Sequence, residues 1–154
     1  MGAIREKMVV KWRMQGEVLS HSLTKASVRD VSTQIDEPLQ RDGTNQGLTP
    51  TETLVAALIG CTNVISHKIA RKIGVELKNM HIVADVDFDR RGVTLSEDVA
   101  VPFPAITLTI DVRTSASAEQ MDQLRTELAM FCPLAKVIRA SGTVLTENWN
   151  ITAV

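Results

Sequence analysis

The 154-residue chain lacks most of the features by which a function is usually read. It has no excess of either charge: 17 Lys and Arg stand against 18 Asp and Glu, for a net charge of −1. Nothing in that balance would steer the protein to nucleic acid or to an anionic membrane. No unbroken run reaches the roughly 18 apolar residues needed to span a bilayer. The opening "MGAIREKMVVKW" holds no apolar stretch of signal-peptide length. The expected location is therefore the cytoplasm, with no membrane and no nucleic acid as partner. Repeats and low-complexity segments are absent. So are a glycine-rich phosphate loop, a G-x-S-x-G elbow, and the C-x-x-C or H-x-x-x-H spacings of metal sites. His21, His67 and His81 fall on three different predicted elements, so no metal site is expected.

Cysteine is scarce as well, with only Cys61 and Cys132. A static disulfide staple is not expected in a reducing compartment. The pair is either inert, each thiol packing as a small hydrophobe, or redox-active. The 71 positions between the two neither favour nor exclude their meeting.

What is present reads as a single domain over residues 1–154, of the α+β class. "KMVVKWRMQGEV" and "TKASVRDVSTQID" are strand-like, and "EPLQRDGTNQGL" carries the residues of a loop. Thr49, Pro50 and Glu52 then form T-x-x-E with proline at the first helical position, a capping box opening a helix that Gly74 can stop. From Leu54 to Cys61 this helix is apolar or small on all sides, which predicts burial, whereas "SHKIARKIG" regains charge and predicts a wet end. "NMHIVADVDFD" and "AITLTIDVRT" alternate apolar and polar residues, as strands covered on one face do. Ser117 and Gln120 open a second capped helix, and Pro133 breaks it and starts a third with Cys132 at the cap. "TVLTENWNIT" completes the order β-β-α-β-β-α-α-β.

The thiols have different local surroundings. Cys61 has Ala57, Leu58, Val64 and Ile65 at helical spacing, so a thiolate there requires a nearby cation. Cys132, at a helix N-terminus, meets backbone N–H groups and is expected to be the more acidic of the two.

"GLTPTETLVAALIGCTNVI", "FPAITLTIDV" and "CPLAKVI" together resemble the OsmC/Ohr superfamily of osmotically inducible and organic hydroperoxide resistance proteins. The resemblance runs from about Asp36 to the C-terminus. It implies an OsmC-like fold, with curved antiparallel sheets around a long central helix in an interlocked homodimer. It also implies a thiol-dependent peroxidase that holds no bound cofactor. Cys61 would attack an organic hydroperoxide and become a sulfenic acid, Cys132 would condense with it to a disulfide, and an external dithiol, lipoyl-type in one branch, would restore both. Active members steady the first thiolate with an arginine held by a glutamate in N-P-E. Here Thr51 follows Pro50 and Glu52 lies one position on, so Glu52 is either catalytic or only the cap residue. Arg13 and Arg29 are the candidate arginines. The shifted glutamate suggests the OsmC-like branch. It also keeps open a second reading, an OsmC-fold binding protein that holds a small hydrophobic ligand without turnover.

Overall fold

The computed structural model describes residues 8–154. The chain, expected as one domain, forms two compact units, Met1–Leu54 and Val55–Val154. Each is described by itself.

The first unit holds strands β1 (Gln15–Val18), β2 (Thr24–Val28) and β3 (Val31–Ile35), an antiparallel meander in that order. Of residues 8–18 in "KMVVKWRMQGEV", only Gln15–Val18 pair: Met8, Val9, Val10 and Trp12 stay outside the ladder and exposed, and Lys7 lies outside the described residues. "TKASVRDVSTQID", expected as one strand, is a hairpin. Arg29 takes a left-handed φ of 54° and turns β2 back on itself, with Val28 pairing Val31. Among the described residues of this unit the only buried apolar side chain is Leu23.

The unit's second anchor is polar. Asp36 is fully buried, and its carboxylate accepts from Glu37 N (2.8 Å), Thr44 N (3.2 Å), Thr44 Oγ1 (2.6 Å) and Gln46 N (3.0 Å). These bonds favour the charged form, the Thr44 hydroxyl most, and hold the carboxyl well below the usual aspartate range. They tie down the loop from residue 36 to 48, which a bridge between Ile35 and Leu48 closes. At Gly47 an added Cβ would lie 2.2 Å from the Gln34 carbonyl oxygen, so only glycine lets the loop pass this close.

Helix α1 (Pro50–Ile73) begins at the end of the first unit and runs into the second. The second unit continues with β4 (Lys78–Val86), β5 (Ala105–Arg113), α2 (Ala118–Phe131), α3 (Pro133–Ala140) and β6 (Val144–Thr152). Its sheet has the order β4-β5-β6. β4 and β5 pair antiparallel, Ile82 opposite Ile110, as their matched alternation predicts. β5 and β6 pair parallel, Ala105 beside Val144 through Arg113 beside Thr152. This corrects the expectation of antiparallel sheets throughout. Two helices lie between β5 and β6, and a crossover of that length returns the chain to the end at which β5 began.

β5 is the centre of the unit: Ile106, Leu108, Ile110 and Val112 are all within 2% of complete burial. They pack with Leu58, Ile69 and Ala70 of α1, Met121, Leu124 and Leu128 of α2, and Cys132, Ala135 and Ile138 at α3. Each large side chain contributes about 1.5–3 kcal/mol by leaving water. The loop between β4 and β5 is fastened by Arg91, which bonds Asp89 (2.6 Å) and Glu97 (2.8 Å) and holds the Asp89 carboxyl to about 2.

α1 is not covered on all sides. It is long and apolar enough by length and composition to cross a membrane, yet only about a third of its most apolar stretch is buried. Thr62, Asn63, Ser66 and His67 interrupt the apolar run. In the second unit, Leu58, Thr62, Ser66, Ile69 and Ala70 form its buried face, while Ala56, Ala57, Gly60 and Val64 are exposed.

Candidate functional site

The site is built at two helix positions. On the first helix, the entry cap forms as its residues dictate. Thr49 Oγ1 accepts from Glu52 N (3.2 Å), and the Glu52 carboxylate accepts from Thr49 N (2.8 Å). Glu52 is thus engaged as the reciprocal partner of a capping box. Gly74 ends the helix with a φ of 76°, a left-handed stop that costs glycine nothing. Cys61 lies between these ends, half-buried and packed against the core of the second unit.

Cys132 sits where α2 stops. Its own N–H still bonds Leu128 O (2.9 Å), but Pro133 cannot continue the α2 ladder, and Cys132 adopts an extended ψ of 109°. The chain restarts as α3 with Pro133 at the first helical position, and Cys132 O accepts the first bond of the new helix from Lys136 N (3.1 Å). One residue therefore ends one helix and caps the next, and its side chain points inward with no exposure.

These two elements bring the cysteines together. Cys132 Sγ donates to Cys61 Sγ across 3.0 Å, and both thiols are free. Closing that gap to a bond of about 2.05 Å needs roughly 1 Å of movement.

The acidity expected of Cys132 from its place at a helix N-terminus is not found. The cap contact is made, with Ala135 N donating to its sulfur at 3.5 Å, but the bond is long. Burial, reinforced by the neighbouring Cys61 sulfur, pushes the Cys132 thiol up to about 11. The removal of water outweighs the helix N-terminus. Cys132 keeps its proton at neutral pH, and Cys61 is the partly exposed cysteine of the two.

The candidate arginines lie on the first unit. Arg29 is exposed in the β2–β3 turn rather than within a strand, and Arg13 is exposed ahead of β1. The histidines stay apart: His67 Nδ1 donates to Asn63 O within its own helix (2.9 Å), His21 meets Asp42 O (2.7 Å), and His81 is exposed on β4. Among the described residues no three His, Cys, Asp or Glu side chains gather as a metal site.

One pair was missed in the sequence. Arg139, in the last turn of α3, donates from Nη2 to Glu147 Oε1 on β6 at 3.5 Å, and the Glu147 side chain is only 9% exposed. The signal was there to find. In "VLTENWNIT" Glu147 stands between Leu145 and Trp149 on the half-buried face of the strand, a polar residue in an apolar register.

Comparison with known proteins bears on the whole arrangement. The family model described as OsmC-like protein matches residues 43–148. No curated protein sequence matches the chain. Among solved structures, the fold is similar to that of an OsmC-like protein from Mycoplasma pneumoniae, with a TM-score of 0.73 at 14% identity over 96% of this chain and 99% of that one. It is also similar to an organic hydroperoxide resistance protein OsmC from Legionella pneumophila, with a TM-score of 0.64 at 10% identity, covering 94% and 99% of the two chains. An organic hydroperoxide resistance protein from Elizabethkingia anophelis gives 0.65 at 10% identity, covering 96% and 100%. At these identities the likeness is one of fold.

Proposed function

The chain belongs to the OsmC-like family, and from that premise we propose that it is a thiol-dependent peroxidase acting on organic hydroperoxides in oxidative stress defence. The observation that carries this reading is the 3.0 Å contact between the Cys61 and Cys132 sulfurs. Two solved relatives of the same fold are organic hydroperoxide resistance proteins.

The reaction follows from the asymmetry of the pair. Cys61, the partly exposed cysteine, attacks the terminal oxygen of ROOH. The O–O bond breaks, the alkoxide takes a proton and leaves as ROH, and Cys61 becomes a sulfenic acid. Cys132 arrives protonated and adjacent. Its sulfur displaces hydroxide from the sulfenic acid, the thiol proton completes a water molecule, and a Cys61–Cys132 disulfide forms. An external dithiol, for which a lipoyl-type carrier is the candidate, then exchanges twice. The protein regains two thiols and the carrier leaves as its disulfide. No bound cofactor takes part, and we place the cycle in the cytoplasm, where such reductants are available.

A second copy of the chain is the proposed partner at α1. Its exposed stripe of Ala57, Gly60 and Val64, with Val64 48% exposed, offers small and apolar side chains against which another helix can approach closely. Sedimentation tests this, a monomer at micromolar concentration ruling it out.

The chemical test is substitution. Cys61→Ser abolishes consumption of cumene hydroperoxide supplied with a dithiol, while Cys132→Ser supports a first turnover and then accumulates Cys61 sulfinic acid, visible by intact mass. Wild-type rates in Cys61→Ser would discard the assignment. One observation favours the alternative, an OsmC-fold protein that binds a small hydrophobic ligand without turnover: Glu52 is already committed to the helix cap. That reading predicts saturable binding of an apolar ligand with no hydroperoxide consumed.

A further inference from the structure

The Arg139–Glu147 pair has no part in the chemistry above, and its energetics do not explain it as a staple. Glu147 is almost wholly buried, and Arg139 Nη1 is buried with no partner among the described residues. Burial pushes the Glu147 carboxyl up, and the opposing charge of Arg139 only partly counters it. Such pairs often cost as much in lost hydration as they return, and apolar replacements of similar volume are frequently neutral or stabilising. What a buried pair supplies is orientation.

The element it orients is α3. This helix has eight residues, about two turns, and Cys132 is its cap. Arg139 follows Cys132 by seven positions. At about 100° per residue that is two full turns less ~20°, so both lie along one side of the helix, some 10 Å apart. Cys132, Ala135 and Ile138 are buried along that side through non-directional apolar contact, and Arg139–Glu147 is the one side-chain hydrogen bond from α3 to β6 among the described residues. Glu147, fixed by the pairing of β6 to β5 opposite Leu108, gives the helix a single address.

We propose that Arg139 and Glu147 are positioning residues, holding the α3 register that aims the Cys132 sulfur at Cys61. The proposal deepens the peroxidase reading by naming what sets the efficiency of its resolving step, but its test reads the thiol pair directly. The protein is equilibrated with reduced and oxidised dithiothreitol. Protein disulfide and the reduced reagent then interconvert with protein dithiol and the oxidised reagent, and the disulfide fraction is measured by thiol alkylation and mass. The double variant Arg139→Met with Glu147→Leu is expected to keep its unfolding midpoint, yet to form the Cys61–Cys132 disulfide about tenfold less favourably, some 30 mV for this two-electron couple. Glu147→Gln moves the equilibrium the same way, and the conservative Arg139→Lys moves it less. Glu127→Gln, which removes the opposing charge from the Lys72–Glu127 contact between α1 and α2 (2.9 Å), leaves it unchanged. A double variant with the wild-type equilibrium overturns the proposal. A wild type that forms the disulfide but consumes no hydroperoxide overturns only the peroxidase reading. A wild type that forms no disulfide at any buffer ratio overturns both.

Discussion

In β5, residues 106, 108, 110 and 112 are buried to within 2% of completeness, whereas Val31, Ser32, Thr33 and Gln34 of β3 are all exposed. Each strand belongs to a three-stranded sheet, β3 as an antiparallel edge and β5 as the centre, antiparallel to β4 and parallel to β6. The larger difference is the cover. In the second unit three helices contribute apolar side chains to one face of the sheet. Among the described residues of the first unit a single apolar residue, Leu23, is buried, and a buried carboxylate supplies the anchor. The first sheet is therefore held by directed bonds, each modest in net value, and the second by area removed from water. A three-stranded sheet without an apolar face is marginal by itself, so the first unit should open at lower free energy than the second.

The sharpest way to break this comparison is to cut the same chemistry from both sides. Leu124→Ala in α2 removes a side chain with no exposure and should cost about 2–5 kcal/mol in denaturant unfolding. Val31→Ala in β3, where the side chain is 50% exposed, should stay within about 0.5 kcal/mol. Comparable losses at the two sites would mean that the first sheet has an apolar cover after all, which the proposed second copy could supply.

The two units also differed in how much their residues disclosed. In the second, period-two alternation announced β4 and β5, because one covered face forces it, and Ser117 and Gln120 announced α2 through bonds that involve only neighbours. The direction of β6 was hidden: alternation is the same in parallel and antiparallel pairs, and only the path of α2 and α3 decides. In the first unit the β2–β3 turn was hidden because Arg29 and Asp30 do not advertise it, and a long side chain at positive φ is chosen by the hairpin rather than by its own preference. At the candidate site the cap role of Cys132 could be read from Cys-Pro. Its proton affinity could not, since a helix cap seen in sequence says nothing of the desolvation that tertiary packing imposes. The meeting of Cys61 with Cys132 rested on resemblance alone until the helices were placed.

A second effect separates the units by pH. The Asp36 carboxyl is lowered from an ordinary 3.8, so the charged form is favoured by folding. Its contribution is present above the unfolded value and is lost as pH falls toward the folded one. Between pH 5 and pH 3 the amides of Thr44 and Gln46, which donate to this carboxylate, should lose hydrogen-exchange protection before those of β5 do. Asp36→Asn should show low protection at both pH values. If Asn at this position keeps the wild-type acid response, another group sets it.

The smallest expected effect concerns the two capping boxes, which share one design in different surroundings. Thr49 opens α1 from a position only 3% exposed, and its hydroxyl also meets Thr51 Oγ1 at 3.1 Å. Ser117 opens α2 in contact with water, accepting from Gln120 N at 3.2 Å while Gln120 Oε1 accepts from Ser117 N at 2.9 Å. Ser117→Ala should cost about 1 kcal/mol, because water can take over the freed amide. Thr49→Ala should cost nearer 2 kcal/mol, at the top of the range for such caps, since its amide partner is left in a drier place. Equal costs, read from unfolding midpoints of the two variants, would mean that water reaches both helix entrances alike. Burial at Thr49 would then be no guide to what its cap contributes to the stability of α1.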